Sequence, residues 1–213
     1  MNAALSMKIL ALEFSTYQRE AAVAEGNNVL ATATTNILKT STLTLIDEAL
    51  QKACLDRATI EVIALGIGPG SYTGIRSAIA TAQGWQLARN LKLLAISSAE
   101  VLAASARARG QRGETHLLID AQRNEYYHAT WNLTDKTQTE TNPIRIIGKE
   151  EATKLESFGP DLPGLVNCQP LYPDAATLSQ LAVNRTDFQS GETVEPIYLR
   201  PTEFVKTLSP RNL

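Results

Sequence analysis

The chain has 213 residues, of which 44% are hydrophobic and 20% are charged, a balance typical of a soluble globular protein. The net charge of −2 argues against a protein that grips nucleic acid by itself, because phosphate binding favours a basic surplus. No segment approaches the roughly 20 apolar residues of a membrane span, and Met1–Ser6 lacks signal-peptide features, so a cytoplasmic protein with no membrane contact is predicted.

The first half of the chain is predicted to contain three strands followed by alternating helices and strands. The strands are Lys8–Phe14, Arg19–Glu25 and Val29–Thr35, and apolar residues then recur at helical spacing over Leu43–Ala53. The remaining predicted elements alternate strand and helix in chain order: Val62–Ile67, Thr73–Arg89, Lys92–Ile96 and Ala99–Arg107. This order is that of a ribonuclease-H-like unit, a mixed sheet flanked by helices.

The second half is predicted to be a trimmed repeat of the first. After a linker at Gly110–Glu114, the predicted elements are the strands Thr115–Ile119, Glu125–Trp131 and Pro143–Ile147, a polar loop at Thr134–Asn142, and the helices Lys149–Leu155 and Ala175–Val183. We therefore predict an α/β protein of the actin-like ATPase class with two tandem βββαβαβα-type lobes, the second one trimmed. The predicted lobes are residues 1–109 and 110–213.

A glycine-rich turn, Gly68–Arg76 (GPGSYTGIR), lies between a predicted strand and a predicted helix. Gly68 and Gly70 permit backbone angles closed to other residues, and Ser71 or Thr73 can cap the helix. Two interpretations stay open: a tight, well-capped turn, or outward-pointing amides that hold an anion. It is not a Walker A loop, because no Gly-Lys-Ser/Thr follows.

Four segments resemble the TsaB (YeaZ) family. GPGSYTGIR resembles that family's GPGSFTGLR signature, and KILALEFST at Lys8–Thr16 is similar to its ILALDTST. Ile119–Tyr127 resembles its (I/L)DARRxEVY segment, and Ile197–Pro201 its closing P-x-Y-L-R-P. These motifs follow the family order and cover almost the whole chain.

The resemblance implies an actin-like fold and a role in making threonylcarbamoyladenosine next to the tRNA anticodon. It implies a non-catalytic subunit that binds a TsaD-type catalytic subunit together with a TsaE-type ATPase, while tRNA is reached only through the complex. A homodimer is the alternative assembly. The resemblance implies no cofactor, and it allows ATP or ADP to bind only at the interface with a partner.

The candidate metal-binding and acidic residues of the sequence also favour a non-catalytic protein. The helix Leu43–Ala53 has no histidine, and the two histidines, His116 and His128, lie on separate predicted strands, so no metal site is predicted. Glu13 and Asp120 admit two interpretations: paired acids across a cleft, or local bonds at strand ends, including one to Arg123. We favour local bonds, because Asp120 is not followed by a glycine-rich phosphate cradle.

The partner surface is predicted on the helix Thr73–Arg89 and the helix before it. Small residues on the former allow close helix packing, and the apolar positions of both helices cover more than the single stripe of a one-sided surface helix. The alternative is that both faces pack within the protein, one on the sheet and one on the neighbouring helix. The predicted contacts are Leu43, Ile46, Leu50, Ile75, Ile79, Ala80 and Gln83. The possible anion contacts are Gly68, Gly70, Ser71, Thr73 and Arg76.

Two enzymatic alternatives remain open. The first is a stand-alone actin-like ATPase or kinase that uses Glu13 and Asp120. The second is a peptidase-like enzyme, for which Cys54 and Cys168 have no histidine at a local signature spacing.

Overall fold

The computed structural model describes residues 7–37 and 39–199. Met1–Ser6 and the last two residues of the closing motif, Arg200 and Pro201, lie outside the described residues, so the prediction for that motif is followed only as far as Leu199.

The first half of the chain forms one mixed sheet with three helices. Its elements in chain order are β1 (Lys8–Glu13), β2 (Arg19–Glu25), β3 (Asn28–Thr35), α1 (Thr42–Lys52), β4 (Val62–Gly66), α2 (Tyr72–Arg89), β5 (Lys92–Ile96) and α3 (Ser98–Ala108). Each predicted element is confirmed to within one residue at either end. Serine caps set two helix starts: Ser41 Oγ accepts from the Thr44 amide, and Ser97 Oγ from the Ala99 amide.

The first sheet has the strand order β3-β2-β1-β4-β5. β2 runs antiparallel to β1 and β3, whereas β4 and β5 run parallel to β1. This is the predicted ribonuclease-H-like arrangement. The carboxyl ends of β1 and β4 meet at one edge, where the Gly68–Arg76 turn begins.

The second half repeats this topology with less helix. Its elements are β6 (Gly113–Asp120), β7 (Glu125–Leu133), β8 (Gln138–Gly148), α4 (Lys149–Ala152), β9 (Ser157–Gly159), β10 (Cys168–Pro170) and α5 (Ala175–Ala182). The strand order β8-β7-β6-β9-β10 matches that of the first sheet, with the same strand directions. The four-residue α4 takes the place of α1, and residues 160–167, without a helix, take the place of α2. The prediction of a trimmed second unit is confirmed.

The polar loop predicted at Thr134–Asn142 is wrong over its second half. Gln138–Asn142 belongs to β8, an 11-residue strand at the edge of the second sheet. Most of its side chains are exposed, so it lacks the apolar alternation that marks a half-buried strand. The predicted linker Gly110–Glu114 is likewise shorter, because β6 begins at Gly113.

Helices α3 and α5 lie between the two sheets, and each packs on the sheet formed by the other half of the chain. Ala99, Leu102 and Ala106 of α3 pack on the second sheet. Leu178 and Ala182 of α5 pack on β1, β2 and β4 of the first sheet. The division at residue 109 stays a prediction, because each sheet takes part of its core from a helix of the other half.

Candidate functional site

The Gly68–Arg76 turn is built against the end of β1. A Cβ atom on Gly70 would lie 2.2 Å from the Ser15 carbonyl oxygen, and one on Gly74 would lie 2.1 Å from that of Phe14. Only glycine allows so close a backbone approach. The Ser71 amide donates to the Ser15 carbonyl at 2.6 Å, and Ser71 Oγ caps the helix by accepting from the Gly74 amide at 3.3 Å.

The start of the turn is tied to α3. The Gly68 amide donates to Ser98 Oγ at 3.1 Å, and the Ser98 amide donates to the Gly68 carbonyl at 2.8 Å. The amides of Gly68, Ser71 and Gly74 therefore have partners within the protein, as the interpretation of a capped turn requires. The anion contact proposed for Gly68, Gly70, Ser71, Thr73 and Arg76 stays a prediction.

A cleft of about 750 Å³ opens beside this turn. Its walls come from both halves of the chain and from the segment after α5: Ser15–Tyr17, Gly70–Thr73, Ile75, Ile119–Arg123, Tyr127, Pro160–Asp161 and Pro196–Tyr198. The cleft thus lies at the edge where the first-sheet turn faces the β6–β7 connection.

Asp120 lines the cleft but is held by its own loop. Its carboxylate accepts from the Gln122 amide at 2.7 Å and from Gln122 Nε2 at 2.6 Å. Gln122, Arg123 and Asn124 have φ values of 65°, 59° and 60°, a left-handed backbone that glycine adopts more readily. The loop is therefore shaped without glycine and uses Asp120 as its internal acceptor.

Glu13 is buried away from the cleft. Its carboxylate accepts from the Ser15 amide at 2.9 Å and from Ser98 Oγ at 3.0 Å. It fills the space next to Gly66, where a Cβ atom would lie 2.0 Å from Glu13 Oε2. Burial raises the pKa of Glu13 above its ordinary value, although these hydrogen bonds oppose the shift. The structure favours local bonds over paired acids, because Glu13 and Asp120 do not line one cleft.

The acidic neighbours of Glu13 were not predicted from the sequence. These neighbours are Glu20 on β2 and Asp174, the N-cap of α5. The charge of Asp174 adds to burial in raising the pKa of Glu13. Burial, then Asp174, then Glu13 raise the pKa of Glu20 to about 7. Residues 20 and 174 come together only because α5 crosses onto the first sheet.

The two histidines also meet, which the sequence did not predict. They lie on the adjacent strands β6 and β7, and His128 Nε2 is 3.2 Å from His116 Nδ1. Burial, then His116, lowers the pKa of His128. Within residues 7–37 and 39–199, no group of three or more His, Cys, Asp or Glu side chains could hold a metal ion.

The structure corrects the predicted partner surface. Four of the predicted contact residues are at most 5% exposed and pack in the core beneath α1 and α2: Ile46, Leu50, Ile75 and Ile79. They stabilise the chain's own fold and are not exposed to a partner. Gln83 is half-buried, and its Nε2 donates to the Gly191 carbonyl at 2.7 Å.

The exposed side of α2 is a different set of residues. We call Thr73, Arg76, Ala80, Gly84 and Leu87 the exposed stripe of α2, because their spacing places them along one side of the helix. A Cβ atom on Gly84 would meet nothing within 4 Å. Leu43 of α1, another predicted contact, is 46% exposed, and Leu87 is 90% exposed.

Comparison with known proteins decides the family. A family model described as TsaD, tRNA N6-adenosine threonylcarbamoyltransferase, matches residues 34–169. The Escherichia coli protein named tRNA threonylcarbamoyladenosine biosynthesis protein TsaB is 28% identical over 183 residues, which cover 74% of this chain and 78% of that protein. The chain belongs to the TsaB/YeaZ family.

Other members of the TsaB/YeaZ family agree. The Haemophilus influenzae protein of the same name is 35% identical over 85 residues, 40% of this chain, and the match spans only 36% of that protein. A solved structure of YeaZ from Pseudomonas aeruginosa superposes with a TM-score of 0.76 at 25% identity, over 91% of this chain and 100% of that one. The predicted actin-like ATPase fold is thereby confirmed. Among the described residues, no helix has both the length and the apolar character to cross a membrane.

Proposed function

We propose that this chain is a non-catalytic partner subunit in the biosynthesis of threonylcarbamoyladenosine in tRNA. The TsaB names of its E. coli and H. influenzae relatives support that pathway. In this proposal the chain docks on a TsaD-type catalytic subunit and activates it, with a TsaE-type ATPase in the same cytoplasmic assembly. A homodimer through the same surface is the alternative, and tRNA is reached only through the complex.

The observation that carries the docking proposal is the exposed stripe of α2 beside Leu43. Thr73, Ala80 and Gly84 are small, so a partner helix can approach the α2 backbone closely. Leu87 in the stripe and Leu43 on the neighbouring helix α1 add exposed apolar area. Large apolar side chains left in solvent on neighbouring helices are typical of an interface.

The carboxylates support the absence of catalysis. Glu13 is 1% exposed and its carboxylate accepts a hydrogen bond from Ser98, while the Asp120 carboxylate accepts one from Gln122. An acid that acts on a ligand in the cleft has to reach it, and Glu13 does not line the cleft. ATP or ADP enters this proposal only at the interface with a partner.

The variant Ala80→Arg tests docking. Ala80 is exposed, so the substitution leaves the monomer folded, but it places a long cation in a close helix contact. We expect the variant to lose co-elution with the TsaD-type subunit in size-exclusion chromatography and to lose its stimulation of tRNA threonylcarbamoylation. The matched control is Ala108→Arg, at an exposed alanine on α3. Full binding by Ala80→Arg would contradict docking on α2.

A stand-alone ATPase is the second candidate, because Asp120 lines a cleft of about 750 Å³. Magnesium-ATP would then raise the melting temperature of the isolated protein and be hydrolysed by it, and Asp120→Asn would remove both effects. We expect no turnover by the isolated chain. Steady hydrolysis that Asp120→Asn abolishes would replace the partner proposal.

A further inference from the structure

Arg76 is held by aromatic rings instead of by a carboxylate. Its guanidinium carbon lies 4.3 Å from the ring centroid of Tyr72 and 5.6 Å from that of Tyr198. Its Nε donates to the Tyr198 hydroxyl at 2.6 Å. Tyr198 belongs to the segment after α5, so the cluster joins the last described part of the chain to the first turn of α2.

This arrangement differs from that of four other arginines in the described part of the chain. These four form ion pairs with carboxylates of the protein: Arg57, Arg112, Arg145 and Arg185. Within residues 7–37 and 39–199, the rings of Tyr72 and Tyr198 and the Tyr198 hydroxyl contact the Arg76 guanidinium, and no ion pair joins it to a carboxylate. Among the described residues, Arg76 is therefore an oriented cation without a carboxylate partner.

The cluster is exposed and oriented. Tyr72 and Tyr198 are 56% and 49% exposed. Because Nε is occupied by the Tyr198 hydroxyl, the two terminal nitrogens of the guanidinium remain as the edge that binds a carboxylate with two parallel hydrogen bonds. Stacking on two rings limits the motion of the side chain, so little entropy is lost when that edge is used.

We infer that Arg76, clamped by Tyr72 and Tyr198, binds an acidic side chain of the protein that docks on the exposed stripe of α2. This inference rests on the proposed function. Arg76 lies one helical turn from Ala80 in the same stripe, and arginine and tyrosine are the residue types that dominate binding energy at protein interfaces.

Charge favours a protein carboxylate over an RNA phosphate. Asp120 and Asp161 line the neighbouring cleft, against the single cation of Arg123 among its described lining residues. An RNA backbone presents a row of phosphates and needs a basic surface, whereas one carboxylate needs one oriented arginine.

The binding test uses the complete protein, a purified TsaD-type subunit and calorimetry. We expect Arg76→Gln to raise the Kd at least about tenfold at low salt and to weaken its salt dependence, since screened charges contribute less. The control Arg109→Gln removes an exposed arginine on α3's C-terminal side and should leave the Kd within about twofold. Tyr198→Phe should weaken binding by a few-fold, because it removes the hydroxyl that orients Nε.

A cross-linking test identifies the carboxylate. In Arg76→Lys, carbodiimide should couple the amine at this position to an Asp or Glu of the partner, found by mass spectrometry. If wild type binds and Ala80→Arg does not, but Arg76→Gln binds normally and no such cross-link forms, this inference fails and the proposed function stands. If wild type does not bind, the proposed function fails with it. If Arg76→Gln weakens only tRNA binding, the acidic-partner inference is wrong.

Discussion

Gly74 and Gly84 lie on the same helix, yet their surroundings differ completely. A Cβ atom on Gly74 would overlap the Phe14 carbonyl oxygen, whereas one on Gly84 would meet open space. We expect Gly74→Ala to lower the free energy of unfolding by about 3 kcal/mol, because β1 and α2 must separate. Gly84→Ala should raise it by about 1 kcal/mol, since alanine is the better helix former. Urea titrations of both variants measure the difference, and equal effects would contradict the close contact between β1 and α2.

Glu20 makes stability depend on pH. Its pKa is about 7 in the folded protein against 4.5 for the free group, owing first to burial and then to Asp174 and Glu13. The stabilisation that comes from the raised pKa is complete below pH 4.5 and is lost as the pH rises through about 7, because the buried carboxyl then ionises.

The variant Glu20→Gln checks this dependence. Glutamine keeps the size and an acceptor oxygen of Glu20 but cannot ionise. We expect it to be more stable than wild type by about 2 kcal/mol well above neutral pH, with the difference vanishing in mild acid. Glu156→Gln, at an exposed glutamate, should show no such trend in thermal melts across pH. A constant difference at every pH would contradict the raised pKa of Glu20.

At the scale of elements, the sequence was sufficient to locate α1 and α2 but not to orient them. Helical periodicity placed both within one residue, since apolar spacing depends only on local repeats. Which side of each helix meets the sheet depends on strands that are distant in sequence. Ile75 and Ile79 were therefore predicted as partner contacts, and the structure places them in the core.

That orientation changes what a substitution at Ile79 does. Ile79→Asp would bury a carboxylate in the core of the first sheet, so we expect it to lower the free energy of unfolding by several kcal/mol and to yield little folded protein. Circular dichroism and expression yield, measured beside Ala80→Arg, check this expectation. A folded Ile79→Asp that has lost only partner binding would show that Ile79 belongs to the interface.

β8 shows the limit of pattern reading for strands. The strand is held by its backbone pairing with β7, while its side chains are mostly exposed. Its threonine- and asparagine-rich start therefore carries no burial signal, and composition alone indicated a loop. The sequence did not predict the histidine pair for another reason. The register of β6 and β7 brings His116 and His128 together, and the register cannot be derived from either strand alone.

At the scale of the whole molecule, the two halves depend on each other because α3 packs on the second sheet and α5 packs on the first. Leu178 and Ala182 of α5 cover the face of the first sheet that contains Ile9, Ala11 and Ala22. A fragment of residues 1–109 would expose this apolar face to water. We expect the fragment to aggregate or to lack a cooperative thermal transition. Cooperative unfolding of the soluble fragment would show instead that the first half is an independent domain.

The position of α5 also has a consequence for folding while the protein is being synthesised. A ribosome releases the chain from its first residue onward, so β1, β2 and β4 are available long before residues 175–182 are made. The apolar face of β1, β2 and β4 therefore stays uncovered from the end of β4 at Gly66 until residues 67–174 have been added. The position of this short helix in the sequence therefore sets how long a chaperone has to shield the apolar face during synthesis.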